Sequence, residues 1–305
     1  MMTWKRSYNA AILFVVVAGA TAVRAAPATF TENWNSNASA QFDLIRANRT
    51  SATANVADST ASDGKMTRLD LGRRTSAGPN AGAAIHSKDG TFQYGTYTTR
   101  LKTADCSAQP SAGVVSGFFT YFNDGVTDVN DNGLPDNSEI DIEWLCAKPQ
   151  EIYLTMWTDY RDSDAAHKRV MRYIDLSTGT IKKTCYFEAF GFSNCQDLSG
   201  KEAQPATIPA MPDYQPHKQY YEYGFTWSAT RVVWWIVAPS GQKIVLWDYQ
   251  GRPDRIPTNP AQYMTNVWHS PGWTPPSMPS AKQAPRTTIS QFVDWTAFDA
   301  TLRWP

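Results

Sequence analysis

Apolar and polar residues alternate along much of this chain. Eight stretches show the pattern: "GTYTTRLKTA" (95–104), "GVVSGFFTYF" (113–122), "EIDIEWL" (139–145), "EIYLTMWT" (151–158), "QYYEYGFTW" (219–227), "RVVWWIV" (231–237), "QKIVLWDY" (242–249) and "FVDWTAFD" (292–299). Their β-branched and aromatic content, period of two and flanking turn residues predict short strands. No amphipathic helical pattern runs beyond a turn or two. Strands at this spacing, with no repeat and no linker between 66 and 305, predict one all-β sandwich or barrel domain over 26–305. Residues 26–65 are rich in Ala, Ser, Thr and Asn, and the Pro-rich stretches 205–216 and 271–285 predict long surface loops.

The first residues follow a different rule. Lys5 and Arg6 precede an apolar run from Ala10 to Val23, and Val23 and Ala25 sit at the −3 and −1 positions of a cleavage site. The run is too short to span a bilayer, so 1–25 is predicted to be a secretory signal peptide. The expected location is outside the cell or in the periplasm. The formal charge is +0, and no Lys/Arg-rich run is present. A nucleic-acid partner and a membrane partner are therefore not expected, and the chain reads as a monomer. The 12 Trp, 14 Tyr and 13 Phe exceed what a core needs; a carbohydrate groove uses such rings to stack on pyranose C–H faces. All four Cys lie after the leader. They allow three pairings; the local one, Cys185–Cys195, leaves Cys106–Cys146.

The chemistry concentrates in "DVNDNGLPDNSEIDIEWL" (128–145). Asp128, Asn130, Asn132, Gly133 and Glu139 satisfy the calcium-loop pattern D-x-[DN]-x-[DN]-G-x5-E. An EF-hand places a helix on each side of that loop, whereas both flanks here read as strands, so the EF-hand is excluded. The loop still offers Asp128, Asn130, Asn132 and Asp136 to a Ca2+, or serves as a plain Asn/Asp/Gly/Pro turn. As a strand, 139–145 puts Glu139, Asp141 and Glu143 on one face and Ile140, Ile142 and Trp144 on the other. Three like charges on one face oppose folding, which points to a site. The outer Cα atoms lie roughly 13 Å apart, and inward-leaning Glu side chains reach the spacing of about 5–5.5 Å used by retaining glycosidases. Closely spaced acids also split their pKa values, leaving one ionised and one protonated.

These residues resemble glycoside hydrolase family 16, the concanavalin-like β-jelly-roll enzymes. The signature E-x-D-x-E is in its unbulged form, as in lichenases and xyloglucan-modifying enzymes. "YGTYTTRLK", "GVVSGFFTY", "YYEYGFTWSATRVVWWI", "MTNVWHSPGW" and "VDWTAF" are similar to further family blocks, in the family's order, over about 90–299. The resemblance implies Glu139 as nucleophile, Glu143 as acid/base and Asp141 as assisting carboxylate. It implies substrate contacts at Phe119, Tyr121, Trp157, Asn266, Trp268 and Trp273, and an Arg at position 100 that holds substrate or nucleophile. It also implies a structural Ca2+ on the convex face through Asp294, with no cofactor required for catalysis. Thr98, Asn137 and Cys146 depart from the pattern.

The implied fold is a β-jelly-roll sandwich with a concave cleft. The implied activity is a secreted, retaining endo-β-glucanase acting on a polysaccharide, β-1,3-1,4-glucan first and β-1,3-glucan next. A transglycosylase of the same fold uses the same three acids. A non-catalytic lectin-like module would tolerate loss of either Glu, and both are present.

Overall fold

The alternating stretches form strands, and the strands stack as two antiparallel sheets in a computed structural model that describes residues 27–46, 50–73 and 82–305. The leader predicted over 1–25 lies outside the described residues. In chain order the strands are β1 (Phe30–Glu32), β2 (Phe42–Arg46), β3 (Thr50–Ala57), β4 (Lys65–Leu71), β5 (Gly82–Ser87), β6 (Gly95–Lys102), β7 (Val114–Tyr121), β8 (Asp136–Leu145), β9 (Glu151–Arg161), β10 (Ala166–Asp175), β11 (Thr180–Phe187), β12 (Gln196–Asp197), β13 (Tyr221–Trp227), β14 (Val232–Val237), β15 (Lys243–Tyr249), β16 (Gln262–His269) and β17 (Ile289–Asp299). One sheet runs β15-β14-β13-β6-β17-β4-β3, with β1 also on β17. The other runs β12-β11-β10-β9-β8-β7-β16-β5-β2. This is the all-β jelly-roll sandwich.

The core lies between the sheets. Tyr97, Leu101, Tyr223, Phe225 and Trp234 from the first sheet meet Phe118, Ile140, Ile142, Trp144, Leu154 and Met156 from the second. Ile140 and Ile142 are fully buried and together contribute about 3–6 kcal/mol. That is enough to hold a strand whose opposite face carries three acids.

Several elements differ from the sequence expectation. Strands β1 to β3 form within the polar 26–65 stretch, and β10 and β11 form where no alternation was read. In β10 the inward positions are Val170, Arg172 and Ile174, all nearly fully buried. Arg172 takes an apolar slot by donating from Nε to Thr184 Oγ1 (3.1 Å) and from Nη1 to the carbonyls of Pro205 (2.8 Å) and Leu246 (3.2 Å). A charged residue in a core slot conceals the period. The 205–216 stretch is not a purely surface loop: Ile208, Met211 and Tyr214 join the core, and Tyr214 Oη accepts from Trp144 Nε1 at 2.9 Å.

β9 carries a bulge. Trp157 faces Glu139 of β8 and Arg169 of β10, but the next paired residue is Asp159, opposite Asp136 and Lys168. Against β10 Thr158 is the extra residue, whereas against β8 the longer side is β8, three residue steps from Glu139 to Asp136 facing two on β9. Both expected disulfides form, Cys106–Cys146 and Cys185–Cys195, with Cα atoms 5.6 and 5.2 Å apart. Among the described residues no helix is long and apolar enough to cross a membrane.

Candidate active site

The nine-stranded sheet turns one face to the core and the other away from it. Antiparallel register carries residues across that outer face in rows. One row holds Ala84, Asn266, Gly117, Glu143, Tyr153 and Tyr173. The next holds His86, Met264, Phe119, Asp141, Thr155, Met171 and Cys185. A third holds Glu139, Trp157, Arg169 and Phe187. The three acids thus sit side by side at mid-sheet. Gly117 leaves a notch beside Glu143: a Cβ there would lie 2.6 Å from Asn266 Oδ1.

Each acid has its own surroundings. Glu139 Oε2 accepts from Asn137 Nδ2 at 2.7 Å. Asp141 is almost fully buried. Its Oδ2 accepts from Thr155 Oγ1 and from Trp157 Nε1 (3.1 Å), and its main-chain carbonyl accepts from Trp234 Nε1 (3.1 Å). Burial, then the charges of Glu139 and Glu143, push the Asp141 carboxyl well above the usual range. A hydrogen bond with Asp141 in turn favours the ionised form of Glu139. Burial pushes Glu139 up to about 7, against the hydrogen bonds from Asn137 and Asp141 and the Arg169 charge. Burial and then the Glu139 charge push Glu143 up to about 8, opposed by Arg169 alone. Glu139 therefore holds a negative charge more readily than Glu143.

Beside Glu143 the same face becomes apolar. Val115, Leu145, Tyr153, Met171, Tyr173, Cys185 and Phe187 form a second cluster, with Phe192, Trp268 and Trp273 packed on it. Tyr153 stacks on Tyr173 at 4.4 Å and meets the edge of Trp273 at 5.0 Å. The Cys185–Cys195 bond ties this floor to the segment carrying Phe192.

The sequence profile of Glycosyl hydrolases family 16 matches residues 46–176, the part of the chain that contains all three acids. Over these residues the chain resembles glycosyl hydrolases family 16. Its fold is also that of solved structures. A prokaryotic β-1,3-1,4-glucanase (lichenase) from a mouse hindgut metagenome is 18% identical with a TM-score of 0.50, over 90% of this chain and 100% of that one. A family 16 endo-glucanase from Bacteroides ovatus is 10% identical, TM-score 0.51, over 88% and 99%. The apo Crh5 transglycosylase is 13% identical, TM-score 0.52, over 91% and 86%. At such identities the likeness is one of fold. No curated protein matches the chain.

Phe119, Tyr121, Trp157, Asn266, Trp268 and Trp273 all belong to the acid-bearing face. Arg100 does not. It lies on β6 in the other sheet, where Tyr97 and Leu101 point to the core. Arg100 therefore points outward, ion-paired with Asp294 and lying 4.9 Å from the Tyr220 ring centroid. The alternation of β6 overturns its expected cleft role. The same pair bears on calcium at Asp294, whose fully buried carboxylate accepts from Ser62 N (3.0 and 3.1 Å), Ser62 Oγ (3.0 Å) and Arg100. Its partners are donors and a fixed cation, so these residues do not fit a Ca2+. Arg100→Ala is expected to cost about 3 kcal/mol, because it strands a buried carboxylate, while leaving kcat unchanged. Urea unfolding and a parallel assay check both.

Sequence reasoning missed Asn137 and Arg169. Asn137 was noted only as a departure, although a polar side chain two residues before an acid on the same strand is placed to reach it. Arg169 lies on a strand whose pattern was concealed. Its guanidinium lies 4.6 Å from the Trp157 ring centroid and 4.7 Å from that of Phe187. His167, which matched no motif, is buried against Trp157 and Phe190 with centroids 5.1 and 4.3 Å apart.

Proposed function

We propose that this chain is a secreted, retaining endo-β-glucanase of glycosyl hydrolases family 16, with β-1,3-1,4-glucan as first substrate and β-1,3-glucan as second. The observation that carries the chemistry is the unequal support of two carboxyls four residues apart on one face of a strand. Glu139 has an amide donor, a hydrogen bond with Asp141 and a cation, whereas Glu143 has only the cation. Glu139 is the nucleophile and Glu143 the acid. Glu139 attacks the anomeric carbon as Glu143 protonates the departing glycosidic oxygen, giving a glycosyl ester. Water then attacks that carbon while giving its proton to Glu143, the ester bond breaks, and β configuration is restored. Asp141 holds Glu139 ionised before attack.

Trp268 and Trp273 flank the apolar floor and offer ring faces to sugars. Trp268→Ala is expected to keep most of its thermal stability, since the side chain is half-buried, and to lose about tenfold in kcat/KM on polymer, equivalent to about 1.4 kcal/mol. A large fall in Tm would make Trp268 a core residue instead.

The deciding experiment is reducing-end release on barley glucan, laminarin, xyloglucan, agarose and chitin, with NMR of the first-formed anomer. Release from none of them, or an α-anomer, would overturn the proposal. A second reading, transglycosylation, is favoured by the floor beside Glu143, which can seat a sugar acceptor in place of water. It predicts redistribution of chain lengths with few new reducing ends. The two disulfides and the leader pattern support export.

A further inference from the structure

The row of side chains through Glu139 carries an aromatic ring on either side of the acid. Tyr121 stands opposite Glu139 on β7, one place beyond the Thr120–Ile140 pair and one before the hydrogen bonds that join Phe122 to Ser138. Trp157 and then Arg169 continue the row on β9 and β10. Phe190 comes from outside the sheet, on the connection between β11 and β12, and reaches the same row. Its ring centroid lies 4.3 Å from that of His167, 6.0 Å from that of Trp157 and 5.4 Å from the Arg169 guanidinium carbon. Tyr121 and Phe190 are 39% and 38% exposed. The other exposed aromatic rings among the described residues, Tyr94 and Trp304, pack elsewhere, on Trp227 and Arg231.

The connection is built to hold that ring in place. Cys185, on the outer face of β11, is bonded to Cys195. Between them Phe192 packs into the apolar floor against Tyr173 and Phe187, with centroids 6.1 and 6.4 Å apart. Gly191 turns the chain between the two phenylalanines at φ +100°, a conformation that side chains disfavour. Asn194 closes the turn: its Nδ2 donates to the Phe190 carbonyl at 2.6 Å and its N–H to the Gly191 carbonyl at 3.0 Å. Phe192 is thus the anchor, and Phe190 is the ring presented to the cleft. Part of Phe190 packs on His167; the open part gains from burial by a ligand, and a ring already held in place loses little freedom when one binds. Phe190 overlies β10, two strands or about 10 Å from the strand of Glu139. It therefore meets a sugar removed from the bond being broken.

We propose that Phe190 is a specificity-determining platform for a sugar beyond the one that reacts. The occupant is a glucosyl unit of the polysaccharide with its C–H face on the ring, so the inference rests on the glucanase reading. The test is kcat and KM of Phe190→Ala, Phe190→Leu and Phe190→Trp on barley glucan and on its oligosaccharides of increasing length, with thermal melts alongside. Phe190→Ala and Phe190→Leu are expected to lose about tenfold in kcat/KM on polymer, through KM, and progressively less on oligosaccharides too short to reach the connection. Phe190→Trp is expected to keep the wild-type value. Phe190→Leu, which retains an apolar contact with His167, is expected to melt close to wild type. A loss equal at every length would mean that Phe190 acts through Trp157 and its hold on Asp141, and would overturn the platform; an unchanged KM on polymer in Phe190→Leu would do the same. Affinity electrophoresis in barley glucan reads the platform without turnover. Phe190→Leu is expected to be retarded less than wild type, and equal mobility would overturn the platform whether or not the chain cleaves glucan. A wild type that is retarded but cleaves nothing counts against the glucanase reading alone.

Discussion

Glu139→Ala in azide is expected to give an α-glycosyl azide, and Glu143→Ala a β-glycosyl azide, from the same activated β-glucoside. Each variant loses one half of a two-step displacement. Without Glu143 there is no proton for the leaving group, so kcat/KM on polymer falls by about 10³-fold or more. A substrate whose leaving group needs no proton still forms the ester with Glu139. Azide, which needs no base, then enters on the face that Glu143 served, and two inversions leave the β-anomer. Without Glu139 no ester forms. Azide occupies the vacated space and attacks once, giving the α-anomer. The direction follows from the donors around Glu139. A β-azide from Glu139→Ala would exchange the two roles. Asp141→Asn is expected to slow the reaction without altering stereochemistry, since Asp141 makes no bond to sugar.

Removing the guanidinium of Arg169 is expected to move the whole pH profile of kcat/KM to higher pH. The active form needs Glu139 ionised and Glu143 protonated, and burial sets these carboxyls up to about 7 and about 8. Arg169 favours the charged form of both, so Arg169→Met raises both and shifts both limbs of the bell upward. The rate at the new optimum is expected to fall by up to about 10²-fold. Arg169 also lies over Trp157, whose Nε1 holds Asp141, and a loosened Asp141 no longer positions Glu139. Arg169→Lys, which keeps the charge, is expected to retain most of the wild-type profile. An unchanged profile in Arg169→Met would remove the residue from the electrostatics of the site.

Much of this was legible before the structure. The acids, their shared face and the apolar face of β8 follow from a period of two. The strands whose core positions are apolar, such as β7, β13 and β14, were readable for the same reason. β10 was not, because Arg172 fills a core slot and finds its partners in Thr184 on the next strand and in Pro205 and Leu246, far along the chain. Arg100 shows the converse failure. A local pattern identified its strand correctly, but which sheet that strand joins is decided by pairing with β13 and β17. Long-range pairing leaves no mark in ten residues of sequence.

One extra residue in β9 lets a single strand serve two masters. Up to Trp157, alternate side chains belong to the acid-bearing face; beyond Thr158 the phase is inverted, so Asp159 leaves that face and Tyr160 joins it beside Trp157 and opposite His167. The strand is in effect written in two frames joined at Thr158. Deleting this one residue, without touching any acid, would restore a continuous frame against β10 and aim Asp159 at the sugar side as a fourth carboxylate beside three. Variation in length at this point is therefore far more consequential than variation in residue type, and a homologue lacking the insertion must solve the placement of that acid in another way.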